Sequence, residues 1–164
     1  MKIKITSRAK IEALALAPFA AKTALISVTD ENADFAALKY KPDFLLQLRF
    51  DDITSEDAEY EFVRHMGRKP TKDEKCLLKP EFRLISDSQV EEIAEFVYQI
   101  KDEAALLICQ CEHGQSRSAA IAAAVIEHFH HRGIIVFADD QYFPNKLIYR
   151  KVYAALNQRA KQEG

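Results

Sequence analysis

The stretch 111–118, CEHGQSRS, places Cys111, Gly114, Arg117 and Ser118 in the pattern C-x2-G-x2-R-S. A cysteine becomes a nucleophile when it loses its proton. An arginine presents a planar fork that grips two oxygens of a tetrahedral oxyanion. An apolar run, 104–108 (AALLI), leads into the stretch and an alanine-rich run, 119–126, leads out, which reads as buried strand, tight loop and helix. A loop of that kind turns backbone N–H groups inward, and the helix macrodipole adds partial positive charge. Gly114 permits a tight turn that a Cβ would oppose. The backbone of Glu112, His113, Gly114, Gln115 and Ser116 is therefore expected to cradle a phosphate-sized anion, with Arg117 as its cation. The same donors stabilise a Cys111 thiolate, and Ser118 can donate a hydrogen bond to that sulfur. The chemistry implied is a nucleophile inside an oxyanion cradle. The simpler alternative is a buried cysteine at a strand end with a surface arginine nearby.

CEHGQSRS and its flanks resemble the phosphate-binding loop of the cysteine-dependent protein tyrosine phosphatase superfamily, most closely the dual-specificity-like branch and its small bacterial relatives. The resemblance implies a metal-independent phosphatase without cofactor. Cys111 would attack phosphorus, Arg117 and the loop amides would hold the equatorial oxygens, and Ser118 would stabilise the departing thiolate. In that family the general acid follows a strand like 44–50 (FLLQLRF), which here runs into Asp51 and Asp52. Asp52 is the expected acid, Asp51 the alternate, and Asp57 a weaker rival inside an expected helix. Either aspartate can also simply punctuate a loop end. Pro144-Asn145 resembles the Pro-Asn that opens the family's final helix, where the Asn braces the phosphate loop from behind; Asn145 can equally cap its own helix.

Two departures matter. Gln110 stands where the superfamily usually has a His that orders the loop and favours the thiolate, so activity is expected to be lower or displaced to higher pH. The loop carries no Lys, which argues against phosphoinositides as substrates. Extra residues at about 55–82 form an insertion that serves as a lid or is a tolerated surface excursion. The partner implied is a phosphorylated protein or a small phosphomonoester. The alternative function is a pseudophosphatase, a phosphate-recognition module with the chemistry disabled. A sulfur- or arsenate-handling relative is a third reading.

The chain has 164 residues, 48% of them hydrophobic and 29% charged, which fits one globular domain spanning 1–164. A net charge of −2 gives no electrostatic case for nucleic acid or an anionic membrane. The three cysteines, Cys76, Cys109 and Cys111, make no disulfide framework and suit a reducing cytoplasm. Cys76 or Cys109 could trap Cys111 as a reversible disulfide. Cys109, Cys111 and His113 do not have a usual zinc spacing, so no metal is expected. The N-terminus lacks a signal-peptide core and no run approaches a membrane span. The sequence leaves the oligomeric state open.

The elements needed to position these groups are legible from periodicity. Strands are expected at 2–6, 24–28 and 44–50 as well as before Cys111, and 134–137 (IIVF) reads as a further short strand. Helices are expected at 8–16 after a Ser7 cap, at 54–66, at 88–103 behind a Ser88–Glu91 capping box, and at 116–131. His128, His130 and His131 at the end of that last helix suit its negative pole. A final helix carries Leu147, Ile148, Val152 and Leu156, with a fraying RAKQEG tail. The fold class is α/β in three layers: four or five mostly parallel strands, helices on both faces, and the site at the strands' carboxyl ends.

Overall fold

The computed structural model describes residues 1–53, 63, 66–69, 71–72 and 84–163. Most of the expected insertion at 55–82 and of the helix expected at 54–66, with Asp57 and Cys76, lies outside the described residues. In chain order the elements are β1 (Lys2–Ser7), α1 (Arg8–Leu14), β2 (Thr23–Thr29), β3 (Phe44–Arg49), α2 (Asp87–Ile100), β4 (Leu106–Cys111), α3 (Arg117–His130), α4 (Ile134–Ala138) and α5 (Lys146–Glu163).

The four strands form one all-parallel sheet in the order β1-β4-β2-β3. A parallel sheet must be covered on both faces, and β2, buried at all seven positions, shows it. On one face the alternate residues Ala24, Ile26, Val28, Leu107 and Cys109 pack with Val90, Ile93 and Val97 of α2, Ala120, Ile121 and Ala124 of α3, and Ile148, Val152 and Leu156 of α5. On the other face Leu25 and Ile108 meet Ile11 of α1. The five alanines of α3 at 119, 120, 122, 123 and 124 are all buried, and their small size lets this helix lie close under its neighbours. Among the described residues no helix is long and apolar enough to cross a membrane.

Several boundaries differ from expectation for identifiable reasons. Residues 134–137 form the short helix α4, not a strand. Val136 reaches a small cluster with Ala119 and Ala123 of α3, which draws the segment onto the helical layer. The capping box of α2 is Ser86–Gln89, not Ser88–Glu91: Ser86 Oγ accepts from Gln89 N at 3.1 Å, and Gln89 Oε1 accepts from Ser86 N at 3.0 Å. Gln89 Nε2 also donates to the Arg49 carbonyl, tying the helix start to the end of β3. The tail is helical: α5 runs to Glu163, with Arg159 paired to Glu95 and Lys101 to Glu163. Such surface pairs contribute about 0–1 kcal/mol each, so burial of Ile148, Val152 and Leu156 at roughly 1.5–3 kcal/mol each carries the docking of α5. His128, in the last turn of α3 with His130, also bridges two other helices. Its ring lies between Tyr98 Oη at 2.8 Å and Asn157 Oδ1 at 2.9 Å. His131 closes α3 in the left-handed conformation, φ 53°.

Ser86→Ala should remove the α2 cap at a cost of about 1 kcal/mol. Calorimetry should then find Tm lower by about 2–4 °C.

Candidate active site

Cys111 is the last residue of β4 and Arg117 the first of α3, so the loop between them lies at the carboxyl end of a central strand. Gly114 shapes that loop. Its φ is +70°, and a Cβ there would fall 2.6 Å from Ser7 N and from Thr6 C. The loop is pressed against the end of β1, and only glycine fits in both conformation and space. The same contact is reinforced by Arg8 N donating to the Glu112 carbonyl at 3.1 Å and by an Arg8–Glu112 ion pair at 3.5 Å.

Within the loop Cys111 Sγ lies 3.0 Å from Ser118 Oγ, both buried. Arg117 is also buried. Its Nη1 donates to the Phe50 carbonyl at 2.8 Å and pairs with Asp30 Oδ1 at 2.6 Å, while its Nε is buried with no hydrogen-bond partner among the described residues. A fully buried, unpartnered guanidinium N–H is rare and costly, and an oxyanion in the loop is the kind of acceptor that satisfies it. His113 and Gln115 are exposed and Ser116 is half-buried.

Asp52 is exposed and lies against the loop. Its Oδ1 accepts from Ser116 Oγ at 2.8 Å and from Asn145 Nδ2 at 3.0 Å. Asp51 instead accepts from Glu31 N at 3.1 Å through its own Oδ1. Asp52 is thus bonded to the loop through Ser116. Asn145 is buried and does two jobs. Its Oδ1 accepts from Leu147 N and Ile148 N and so caps α5, while Nδ2 holds Asp52 and the Ile53 carbonyl. It therefore fixes the aspartate segment; the neighbouring Phe143 N donates to the Gln115 carbonyl of the 111–117 loop at 2.9 Å. Ser116 makes no side-chain cap on α3, its hydroxyl being given to Asp52.

Gln110 is buried, and its Oε1 accepts from Ser27 Oγ of β2 at 2.5 Å, a neutral link between the two central strands. Burial pushes the Cys109 thiol well above its usual range, with Cys111 adding to the shift, which leaves Cys109 a poor second nucleophile. Among the described residues no group of three or more His, Cys, Asp and Glu side chains is placed to hold a metal ion.

No family model matches the sequence, and no curated protein does. Solved structures match along nearly the whole chain. A mouse protein assigned to the dual specificity phosphatases, complexed with zinc tungstate, superposes with TM-score 0.54 at 14% identity over 98% of this chain and 86% of that one. Human DUSP28 gives 0.52 at 14% over 98% and 94%, and PTPMT1 in complex with PI(5)P gives 0.52 at 11% over 99% and 95%. This is the tyrosine-phosphatase fold.

Within that fold, sequence reasoning missed Asp30. It follows β2 directly and reads as an ordinary turn residue, although it is an acidic side chain at the carboxyl end of the strand beside β4. With Phe50, which follows β3, it anchors the guanidinium of Arg117.

Gly114→Ala forces a left-handed alanine, costing about 1–2 kcal/mol before any clash. The variant should lose several degrees of Tm, read by calorimetry.

Proposed function

We propose that this protein is a metal-independent phosphomonoesterase acting through a phosphocysteine. The observation that carries the reading is the buried Arg117, with Nη1 tied to Asp30 and Phe50 and Nε unpartnered, beside a cysteine whose sulfur already has a hydroxyl at 3.0 Å. The Cys111 thiolate attacks phosphorus, forming the S–P bond as the ester P–O bond breaks. Arg117 and the amides of residues 112–116 hold the equatorial oxygens. Asp52 delivers a proton to the leaving oxygen. Its Oδ1 is fixed by Ser116 and Asn145, which leaves Oδ2 as the oxygen that carries the proton. In the second half the Asp52 carboxylate takes a proton from water, the water oxygen bonds phosphorus, and the S–P bond breaks. Ser118 donates to the sulfur as its negative charge returns, and phosphate leaves.

Substrates on this reading are phosphorylated proteins or small phosphomonoesters. The second reading, a phosphate-recognition module, is favoured by Gln110: a neutral amide bonded to Ser27 supplies none of the charge of an imidazolium beside the thiolate.

Hydrolysis of p-nitrophenyl phosphate with EDTA present should be measurable, blocked by vanadate, and reduced to buffer background in Cys111→Ser. Wild type equal to Cys111→Ser would decide for the recognition module. Asp52→Asn should lower kcat by about 100-fold or more while vanadate affinity stays within about twofold, because only the proton transfer is lost.

A further inference from the structure

β1 lies at an edge of the sheet and pairs with β4 alone. Its residues alternate, Lys2-Ile3-Lys4-Ile5, so the lysines take one face of the strand and the isoleucines the other. Ile3 and Ile5 are half-buried on the face covered by α3. On the lysine face α1 passes beside β1 and leaves a groove of about 390 Å³, lined by Lys4, Thr6, Lys10, Ala13, Leu14 and Ile108. No acidic side chain lines that groove, and Leu14 is 45% exposed. The ammonium groups of Lys2, Lys4 and Lys10 have no carboxylate partner among the described residues. Three unpaired cations thus cluster at one edge of a chain whose net charge is −2.

The backbone of this edge is also available. Lys2 N donates to the Ala105 carbonyl at 2.9 Å, so the polar groups of Lys2, and by alternation those of Lys4 and Thr6, turn toward β4. Those of Ile3 and Ile5 therefore turn off the sheet. Lysines on an edge strand discourage pairing with like edges. That role does not account for Lys10, which comes from α1, or for the exposed Leu14 beside it. Against an acidic strand the same lysines select a partner instead of refusing one.

We propose that the outer edge of β1 and the groove beside it receive an extended segment of a partner protein in which glutamate alternates with aliphatic residues. Such a segment adds a strand to the sheet, hydrogen-bonding to the outward groups of Ile3 and Ile5. Its glutamates fall on the lysine face, with their methylenes against Ala13 and Leu14 and their carboxylates among Lys4 and Lys10. Its aliphatic side chains extend the face of Ile3 and Ile5. A second copy of this chain is the wrong occupant, because its own β1 would set lysine against lysine. The surface does not depend on the chemistry at Cys111.

The test is fluorescence anisotropy with a labelled peptide alternating glutamate with valine and isoleucine. Its controls are a shuffled peptide with the glutamates in one block and two versions N-methylated at alternate residues, one in each phase. The alternating peptide should bind, and the shuffled one should bind at least about tenfold more weakly. One N-methylated phase should lose about tenfold or more, and the other, whose N–H groups face away from β1, should bind as the parent does. Lys4→Glu with Lys10→Glu should weaken the parent peptide by about tenfold or more, with thermal unfolding showing that the variant is folded. Amide NMR shifts on titration should centre on Ile3 and Ile5. No binding of the alternating peptide at about 1 mM, equal binding of the shuffled peptide, or equal binding of both N-methylated phases would each overturn the proposal. So would insensitivity to the lysine reversals, a dimer in sedimentation velocity that Lys4→Glu dissolves, or co-sedimentation with phosphatidylserine vesicles without peptide binding.

Discussion

A buried cation organises this structure. A guanidinium taken out of water is costly unless charges and dipoles meet it. Arg117 receives one carboxylate and one carbonyl, from Asp30 after β2 and Phe50 after β3, while it opens the helix that follows β4. The strand order β4-β2-β3 sets the three carboxyl ends side by side, so each neighbouring strand supplies one piece. Asp30 is half exposed, and its attraction is correspondingly screened. The Phe50 carbonyl, in the dry part of the contact, is the firmer anchor. Two anchors on one nitrogen fix the plane of the fork while the Nε edge keeps its hydrogen free.

The loop around that cation is shaped from outside. Gly114 sits where any side chain would collide with the end of β1, so the edge strand acts as a template for the turn. On the opposite side one asparagine links three things: the first turn of α5, the aspartate segment after β3 and, through the preceding backbone, the loop carbonyl of Gln115. Asp52 is thereby held by groups that are themselves held, which limits how far its carboxylate can shift from the loop.

Much of this was legible in the sequence. The spacing of Cys111, Gly114, Arg117 and Ser118 reports strand, turn and helix because each residue type answers a local demand. The two-sided burial of β2 and β4 shows as the short apolar runs 24–26 (ALI) and 106–109 (LLIC), with Ser27 and Gln110 breaking each. Legibility ended where contacts are non-local. Asp30 looks like a turn residue until β2 is known to lie beside β4. Residues 134–137 are as apolar as a strand, and only their packing on α3 makes them helical. The choice of Ser86 over Ser88 depends on Gln89 reaching back to Ser86 and out to Arg49, a tertiary contact absent from the local pattern.

The register of β1 on β4 pairs Lys2 with Leu106 and Ser7 with Cys111, so the chain's opening strand is also the mould for its central loop. Contacts of such long sequence separation are slow to form, since a large loop must close before any of them rewards it. An emerging polypeptide that has made residues 111–118 but has not yet docked its first strand and its last helix owns the thiol without the cradle. The shape of the loop is thereby coupled to completion of the topology: a half-made or locally opened chain carries the loop's residues without the loop's geometry.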